Sequence, residues 1–199
     1  MPLFYVKTMS EAQFLIKRRE RVVASGVGVF NTATVDSAEG AIITDTDGRD
    51  IIDFAGGIGV VNAGHRPAPV VQAIKDQADK YLHTSFNVVT YEPYVELCEM
   101  LTDMFPHGEH TKAMLVSTGA EAVENAIKIA RQATGRAGVL CFSDAFHGRT
   151  MMAMSLTSNI KYKHGNGPFA PEVYRITYPN YYRYGQGMTE DQFIDKKLK

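Results

Sequence analysis

Two short segments of the chain carry residue types that could bind a small anionic ligand, and the first is MLVSTGAEAVENAIKIAR. An apolar stretch ends at Ser117, Gly119 predicts a turn, and a helix is predicted from about Ala120. The first turn of a helix has free backbone N–H groups and the positive end of the helix dipole, so phosphate binding is physically reasonable there. An ordinary strand–turn–helix in which Ser117 or Thr118 only caps the helix explains the same pattern equally well.

The turn at Gly119 differs from the common nucleotide-binding motifs. No Gly-Lys-Ser or Gly-Lys-Thr follows it, as a Walker A loop requires. The nearest approach to a dinucleotide fingerprint lies elsewhere, at residues 57–62, and lacks the last glycine.

The second segment is CFSDAFHGRT, in which a predicted buried strand ends at Ser143. In open α/β sheets, ligands bind beyond the carboxyl ends of strands. Phe146 offers a flat face to an aromatic cofactor, and Arg149 offers a forked donor to a carboxylate. Taken singly, a core position for Phe146 and a surface salt bridge for Arg149 are the simpler interpretations. Two such strand ends together favour a small anionic cofactor, with His147 as a packed, hydrogen-bonded histidine beside it.

The elements that must position these turns alternate along the chain. A helix is predicted over residues 10–24 with Ser10 as its N-cap, and Asp47-Gly48 between two β-rich runs predicts a hairpin. A glycine-rich loop and two helices follow, the second starting near Pro93. The predicted core elements are strands 112–116, 138–142 and 172–177 and a helix over 121–134 that ends at Gly135. Alternating strands and helices predict a parallel sheet with helices on its faces.

Composition excludes several classes of function. The 199 residues include 21 basic and 22 acidic side chains, so no strong field would recruit nucleic acid or a membrane surface. No long apolar stretch or N-terminal targeting segment is evident, which predicts a soluble, cytoplasmic protein. Cys98 and Cys141 lie in apolar runs and are predicted to be buried thiols. His107 and His110 lack a third ligand, so no metal site is predicted.

Taken in order, these segments resemble the class III pyridoxal-phosphate-dependent aminotransferases. The matching pieces include HTSFNVVTYEPYVEL, VSTGAEAVENAIKIARQATGRAGVL and FSDAFHGRTMMAMSLT, within residues 26–179. STGAEAVENAIKIAR and FHGRT are particularly similar to bacterial 4-aminobutyrate (GABA) aminotransferases. The resemblance implies fold type I of the pyridoxal-phosphate-dependent transferases, an α/β fold like that of aspartate aminotransferase, here truncated. Residues 1–55 would form an N-terminal helix and a small antiparallel segment, and residues 56–199 the first part of the cofactor-binding large domain.

The resemblance also implies which residues bind pyridoxal 5'-phosphate. Backbone N–H groups of Gly119 and Ala120 would bind the phosphate, and Phe146 would stack on the pyridine ring. The residues assigned to the cofactor are Ser117, Thr118, Gly119, Ala120, Phe146 and His147.

Three further residues are assigned to the substrate by the same resemblance. Arg149 would bind its carboxylate, and Ile58 would line the pocket from the glycine-rich loop. Asn87 matches a position that is often glutamine near the same pocket.

The implied reaction transfers the amino group of 4-aminobutyrate to 2-oxoglutarate. Other ω-amino acids, ornithine or acetylornithine remain alternative donors, and a non-catalytic cofactor-binding fragment is a second kind of function. The family's Schiff-base lysine and the aspartate partner of the cofactor ring would lie beyond this chain, since Lys112, Lys128, Lys161 and Lys163 stand on other motifs. We therefore expect an N-terminal portion that is inactive alone, and a homodimer for the full-length protein.

Overall fold

The computed structural model describes residues 9–198. The chain divides into two compact units, Met1–Thr90 and Tyr91–Lys199, each of which is described by itself. The predicted division at residue 55 stays a prediction. The predicted lack of a targeting segment concerns in part residues 1–8, which lie outside the described residues.

The first unit begins with helix α1, Glu11–Val22. The Ser10 hydroxyl accepts a hydrogen bond from the Gln13 N–H, and the Gln13 side chain accepts one from the Ser10 N–H, both at 3.3 Å. This reciprocal capping box satisfies two backbone donors that a helix start leaves free. The predicted helix and its N-cap are confirmed.

A three-stranded antiparallel sheet follows, in the order β1-β2-β3. Its strands are β1 (Ser37–Glu39), β2 (Ile42–Thr44) and β3 (Asp50–Ile52). Thr44 pairs with Asp50, so the β2–β3 connection contains the Asp47-Gly48 turn as predicted. Buried Asp45 fixes this connection, because its carboxylate accepts from both the backbone and the side chain of Arg49 at 2.8 Å. Strand β1 was not among the predicted elements.

Two helical segments complete the first unit. The short helical turn α2, Gly56–Gly59, is interrupted by left-handed backbone at Gly57 and Ile58. Helix α3, Ala68–Lys80, has proline in its first turn, where the missing N–H costs nothing.

The second unit contains a two-stranded parallel sheet together with helices. Its elements are α4 (Glu92–Met104), α5 (Gly119–Thr134), β4 (Val139–Phe142), α6 (Met151–Leu156), a 3₁₀ turn (Ile160–Tyr162), β5 (Val173–Ile176), α7 (Tyr181–Tyr184) and α8 (Glu190–Leu198). β4 and β5 pair in parallel, with Val139 opposite Val173. Gly135 ends α5 in the left-handed conformation, with φ 67°, as predicted. The strands predicted at 138–142 and 172–177 are confirmed.

The predicted strand over residues 112–116 is wrong. The Leu115 N–H donates to the Tyr94 hydroxyl at 3.0 Å, and the Ala113 carbonyl lies 3.8 Å from the Cys98 sulfur. A strand needs a neighbour to satisfy its backbone groups, and none pairs with this segment within residues 9–198.

The core of the second unit lies between α5, α6 and the parallel sheet. Cys141, Met152 and Leu156 are buried there, with Val123 and Ile127 of α5 packed against them. Both cysteines are free thiols; Cys141 is buried as predicted and Cys98 partly so.

The apolar side chains of α4 do not reach this core. Val95, Leu97 and Phe105 are each at least about a third exposed. Helical periodicity identifies an apolar face, but the face is buried only where another element covers it.

Candidate functional site

The first turn of α5 is shaped by one acidic side chain that the sequence analysis missed. The carboxylate of Glu121 accepts hydrogen bonds from the N–H groups of Ser117 and Thr118, at 2.8 and 3.0 Å. The Glu121 N–H in turn donates to the Thr118 hydroxyl at 3.1 Å. The N–H groups of Gly119 and Ala120 have no acceptor within the described chain. The turn therefore keeps two backbone donors for an external anion, and Thr118 is the N-cap of α5.

The turn at residues 146–149 lies directly against this helix start. Gly148 has φ 126°, and a Cβ at this position would stand 2.7 Å from the Cβ of Ala120 and 3.0 Å from that of Ala153. Real Cβ atoms do not approach so closely, so only glycine permits the contact. The two turns singled out in the sequence, residues 117–120 and 146–149, are therefore in contact; we call them the paired turns.

A fully buried threonine holds the second of the paired turns in place. The Thr157 hydroxyl accepts from the His147 N–H at 3.0 Å and lies 2.9 Å from the Gly148 carbonyl, to which it can donate. The Ser158 N–H donates to the Ala145 carbonyl at 2.9 Å. These bonds fix the backbone on both sides of His147.

Helix α5 also caps helix α6 through Glu124. One carboxylate oxygen of Glu124 accepts from the Thr150 hydroxyl at 2.6 Å and from the N–H groups of Met152 and Ala153 at 3.1 and 3.4 Å. The hydrogen bond from Thr150 is the main reason that the pKa of Glu124 lies below its ordinary value, against the opposing effect of burial. Nothing local in the sequence indicates this contact, because its partners are 26 to 29 residues away.

Phe146 and Arg149 share a neighbour that the sequence analysis also missed. Tyr162 makes an edge-to-face contact with Phe146, with ring centroids 5.6 Å apart, and its ring lies 5.8 Å from the Arg149 guanidinium carbon. Phe146 is 61% exposed, so it is not a core residue. Arg149 forms no salt bridge with any described residue. Both simpler interpretations of these side chains therefore fail.

His147 differs from its prediction in one respect. Its backbone N–H is hydrogen bonded, but the ring Nδ1 is buried and has no partner among the described residues. A buried polar atom without a hydrogen-bond partner costs free energy, so nearly all buried polar atoms in native proteins are paired.

The two remaining predicted substrate residues belong to the first unit. Ile58 is 81% exposed and has left-handed backbone, with φ 61° and ψ 52°. Asn87 is also exposed, two residues after Ser85, whose φ is 58°.

Two negative findings concern the part of the chain that the structure describes. No group of three or more His, Cys, Asp or Glu side chains there could hold a metal ion. No described helix is both long and apolar enough to cross a membrane.

Comparisons with known proteins identify similar chains. Residues 22–199 match the model of the family "Aminotransferase class-III". The chain is 48% identical over 184 residues to the "Probable 4-aminobutyrate aminotransferase" of Bacillus subtilis strain 168, covering 92% of this chain and 42% of that protein. It is 47% identical over 167 residues to a 5-aminovalerate aminotransferase of Pseudomonas putida, covering 83% of this chain and 39% of that protein.

A solved structure with a similar fold is the pyridoxal-phosphate-bound amine transaminase from an uncultivated Pseudomonas species. Its TM-score is 0.76 at 28% identity, covering 88% of this chain and 43% of that one. The chain thus spans about two fifths of the length of the curated relatives it matches.

Proposed function

The chain belongs to the class-III aminotransferase family, and from that premise we propose that it is the N-terminal part of an enzyme that transfers the amino group of 4-aminobutyrate to 2-oxoglutarate with pyridoxal phosphate. Its fold is the type-I fold of pyridoxal-phosphate-dependent transferases, present here in part. We call the longer polypeptide of which this chain would be a part the complete subunit.

The contact between the paired turns is the observation that carries this proposal. It brings the two free N–H groups of Gly119 and Ala120, at the positive end of α5, to the turn that carries an exposed aromatic ring. Phosphate suits those donors, and an aromatic cofactor ring suits Phe146. The next residue, His147, has a ring Nδ1 with no partner among the described residues, which leaves a polar atom in the same turn. These residues fit pyridoxal phosphate.

Each side chain has a separate task in the proposed reaction. Pyridoxal phosphate supplies, when bound, the electron sink for amino-group transfer. Gly119 and Ala120 hold the phosphate, and Phe146 packs on the ring. Arg149, which has no acidic partner among the described residues, binds the donor carboxylate, so that the amine at the other end of the donor reaches the cofactor.

The choice of donor rests on the relatives. The Bacillus subtilis protein supports 4-aminobutyrate, and the Pseudomonas putida relative, almost as similar, supports 5-aminovalerate as the second candidate. A homodimer and a cytoplasmic location are further parts of this proposal.

We also propose that this chain alone does not turn over. Its lysines do not stand on the family's Schiff-base motif, so that lysine would come from the remainder of the complete subunit.

The visible absorption spectrum of the bound cofactor tests the proposed function. The complete subunit should give a saturable band on addition of pyridoxal phosphate, and 4-aminobutyrate should convert that band. The 199-residue chain should show no change that depends on 4-aminobutyrate. Conversion by the short chain would contradict the proposed inactivity, and a complete subunit whose band responds to no ω-amino acid would contradict the proposed reaction.

A further inference from the structure

Ile58 occupies an unfavourable conformation without any packing in the first unit to compensate. Its φ of 61° and ψ of 52° fall in the left-handed region, which a β-branched residue rarely adopts. The side chain is 81% exposed, so burial does not stabilise this arrangement. Strained residues persist only where the surroundings enforce them, and they concentrate at functional sites.

The surroundings that enforce it centre on the carboxylate of Asp53. One oxygen accepts from the N–H groups of Ala55 and Gly56, both at 2.9 Å, at the start of the glycine-rich loop Gly56–Gly59. The other oxygen lies 2.8 Å from the Nε2 of His65, beyond the end of the loop. A single side chain therefore ties the entry of the loop to its exit.

Backbone contacts anchor both ends of this tie to the antiparallel sheet. The Asp53 N–H donates to the Ala41 carbonyl at 2.9 Å, and His65 exchanges two hydrogen bonds with Gly40, at 2.7 and 3.0 Å. A Cβ on Gly64 would stand 3.0 Å from the Gly40 carbonyl oxygen, so the close approach requires glycine.

The charge of Asp53 strengthens the tie. The hydrogen bond with His65, followed by the one from Gly56, lowers the pKa of Asp53 below its ordinary value. The carboxylate is therefore ionised at neutral pH, and charge-assisted bonds are stronger than neutral ones.

We propose that Asp53 and His65 are positioning residues for donor selection, which hold the glycine-rich loop so that Ile58 limits the length of the amino donor. The inference rests on the proposed function and on the predicted place of Ile58 beside the donor, and it concerns the two donors that the relatives suggest. 4-Aminobutyrate and 5-aminovalerate differ by one methylene, which a pocket wall discriminates by about ten- to two-hundredfold. A wall discriminates in this way only if its backbone does not yield, and the Asp53–His65 pair supplies that rigidity.

The ratio of kcat/KM for 4-aminobutyrate to kcat/KM for 5-aminovalerate, measured with the complete subunit, tests the proposal. We expect Asp53→Asn and His65→Ala to move this ratio toward one by about tenfold. His65→Gln, whose amide can still donate to Asp53, should retain most of the wild-type ratio. Asp50→Asn is the matched control, because Asp50 accepts a bond from Thr44 and does not touch the loop; its ratio should stay at the wild-type value.

Two further measurements separate positioning from a general loss of structure. In an Ile58→Gly background, Asp53→Asn should no longer change the ratio, because the residue through which it acts is gone. Amide hydrogen exchange over residues 54–64 should accelerate in Asp53→Asn and His65→Ala while exchange in α5 stays unchanged.

Three outcomes are decisive. An Asp53→Asn enzyme that loses activity equally toward both donors, or a wild-type ratio already near one, overturns the inference. A wild-type enzyme that is inactive with both donors overturns the proposed function instead.

Discussion

The paired turns and the glycine-rich loop are held by different means. Gly148 sits in a tight contact with Ala120 and Ala153, and the fully buried Thr157 fixes the backbone behind it. The loop around Ile58 is exposed and depends on one carboxylate and one histidine. Steric packing in the second unit leaves the backbone of the paired turns little conformational freedom. The hydrogen bond between Asp53 and His65 in the first unit can be removed by a single substitution.

This difference corresponds to the two tasks proposed for the regions. Cofactor binding is common to all donors, and a site built on packed small residues holds it in one geometry. Donor selection must vary between relatives with different substrates, and an exposed loop tolerates such changes at little cost to the core. The two regions should therefore respond to mutation in different measurements.

Gly148→Ala should give the largest effect. The new methyl group would overlap Ala120 and Ala153, and the left-handed φ adds further strain. We expect the complete subunit to lose about 2 to 4 kcal/mol of stability and most of its affinity for pyridoxal phosphate. Thermal unfolding and cofactor titration measure both quantities.

Gly26→Ala is the matched control for this substitution, because a Cβ at Gly26 meets nothing within 4 Å. It should leave the unfolding midpoint and the cofactor affinity unchanged. Normal cofactor affinity in the Gly148→Ala protein would show that the contact between the paired turns is dispensable.

Glu124→Gln should have a smaller effect, with a distinctive dependence on pH. The pKa of Glu124 lies below its ordinary value of 4.5, so its stabilising effect is present above that pH and is lost as the pH falls through the depressed pKa. We expect the variant to lose about 1 kcal/mol of unfolding free energy at pH 7, as for a lost helix cap. Denaturant unfolding of both proteins between pH 7 and pH 3 should show the two curves converging on the acid side.

Asp53 is the corresponding carboxylate in the first unit, and its pKa is also lowered. Asp53→Asn should change the donor ratio more than the cofactor affinity, whereas Glu124→Gln should do the reverse. A constant stability difference between wild type and Glu124→Gln across the whole pH range would contradict the assigned role of the carboxylate.

The parts of this structure that follow from local sequence were predictable. Helix α5 with its left-handed Gly135, the capping box at Ser10 and the Asp47-Gly48 hairpin each depend on a few neighbouring residues. The segment over residues 112–116 has the composition of a strand, but strand formation requires a distant partner that composition does not specify.

The same limit applies to the candidate site. The paired turns were recognisable because each is a strand or loop end leading to a helix start and each contains a glycine, of which Gly148 stands at the contact. Glu124 and Tyr162 were missed, since each supports residues that are far away along the chain. That the ring Nδ1 of His147 has no partner among the described residues could be found only from the three-dimensional arrangement.

Tyr162→Leu should give the smallest effect, and it tests whether the side chains of the paired turns depend on a neighbour as Ile58 does. The Tyr162 ring contacts both Phe146 and the guanidinium of Arg149. Loss of an exposed cation–π contact costs about 0.5 to 1 kcal/mol, so the KM for 4-aminobutyrate should rise about two- to fivefold. Tyr162→Phe keeps the ring and should keep the wild-type KM.

An amine that lacks a carboxylate, such as butylamine, should react equally well with both variants, because it does not need Arg149. If Tyr162→Leu impaired butylamine as much as 4-aminobutyrate, the ring would support Phe146 and the cofactor rather than Arg149, and the arginine would owe its position to the backbone of the paired turns alone.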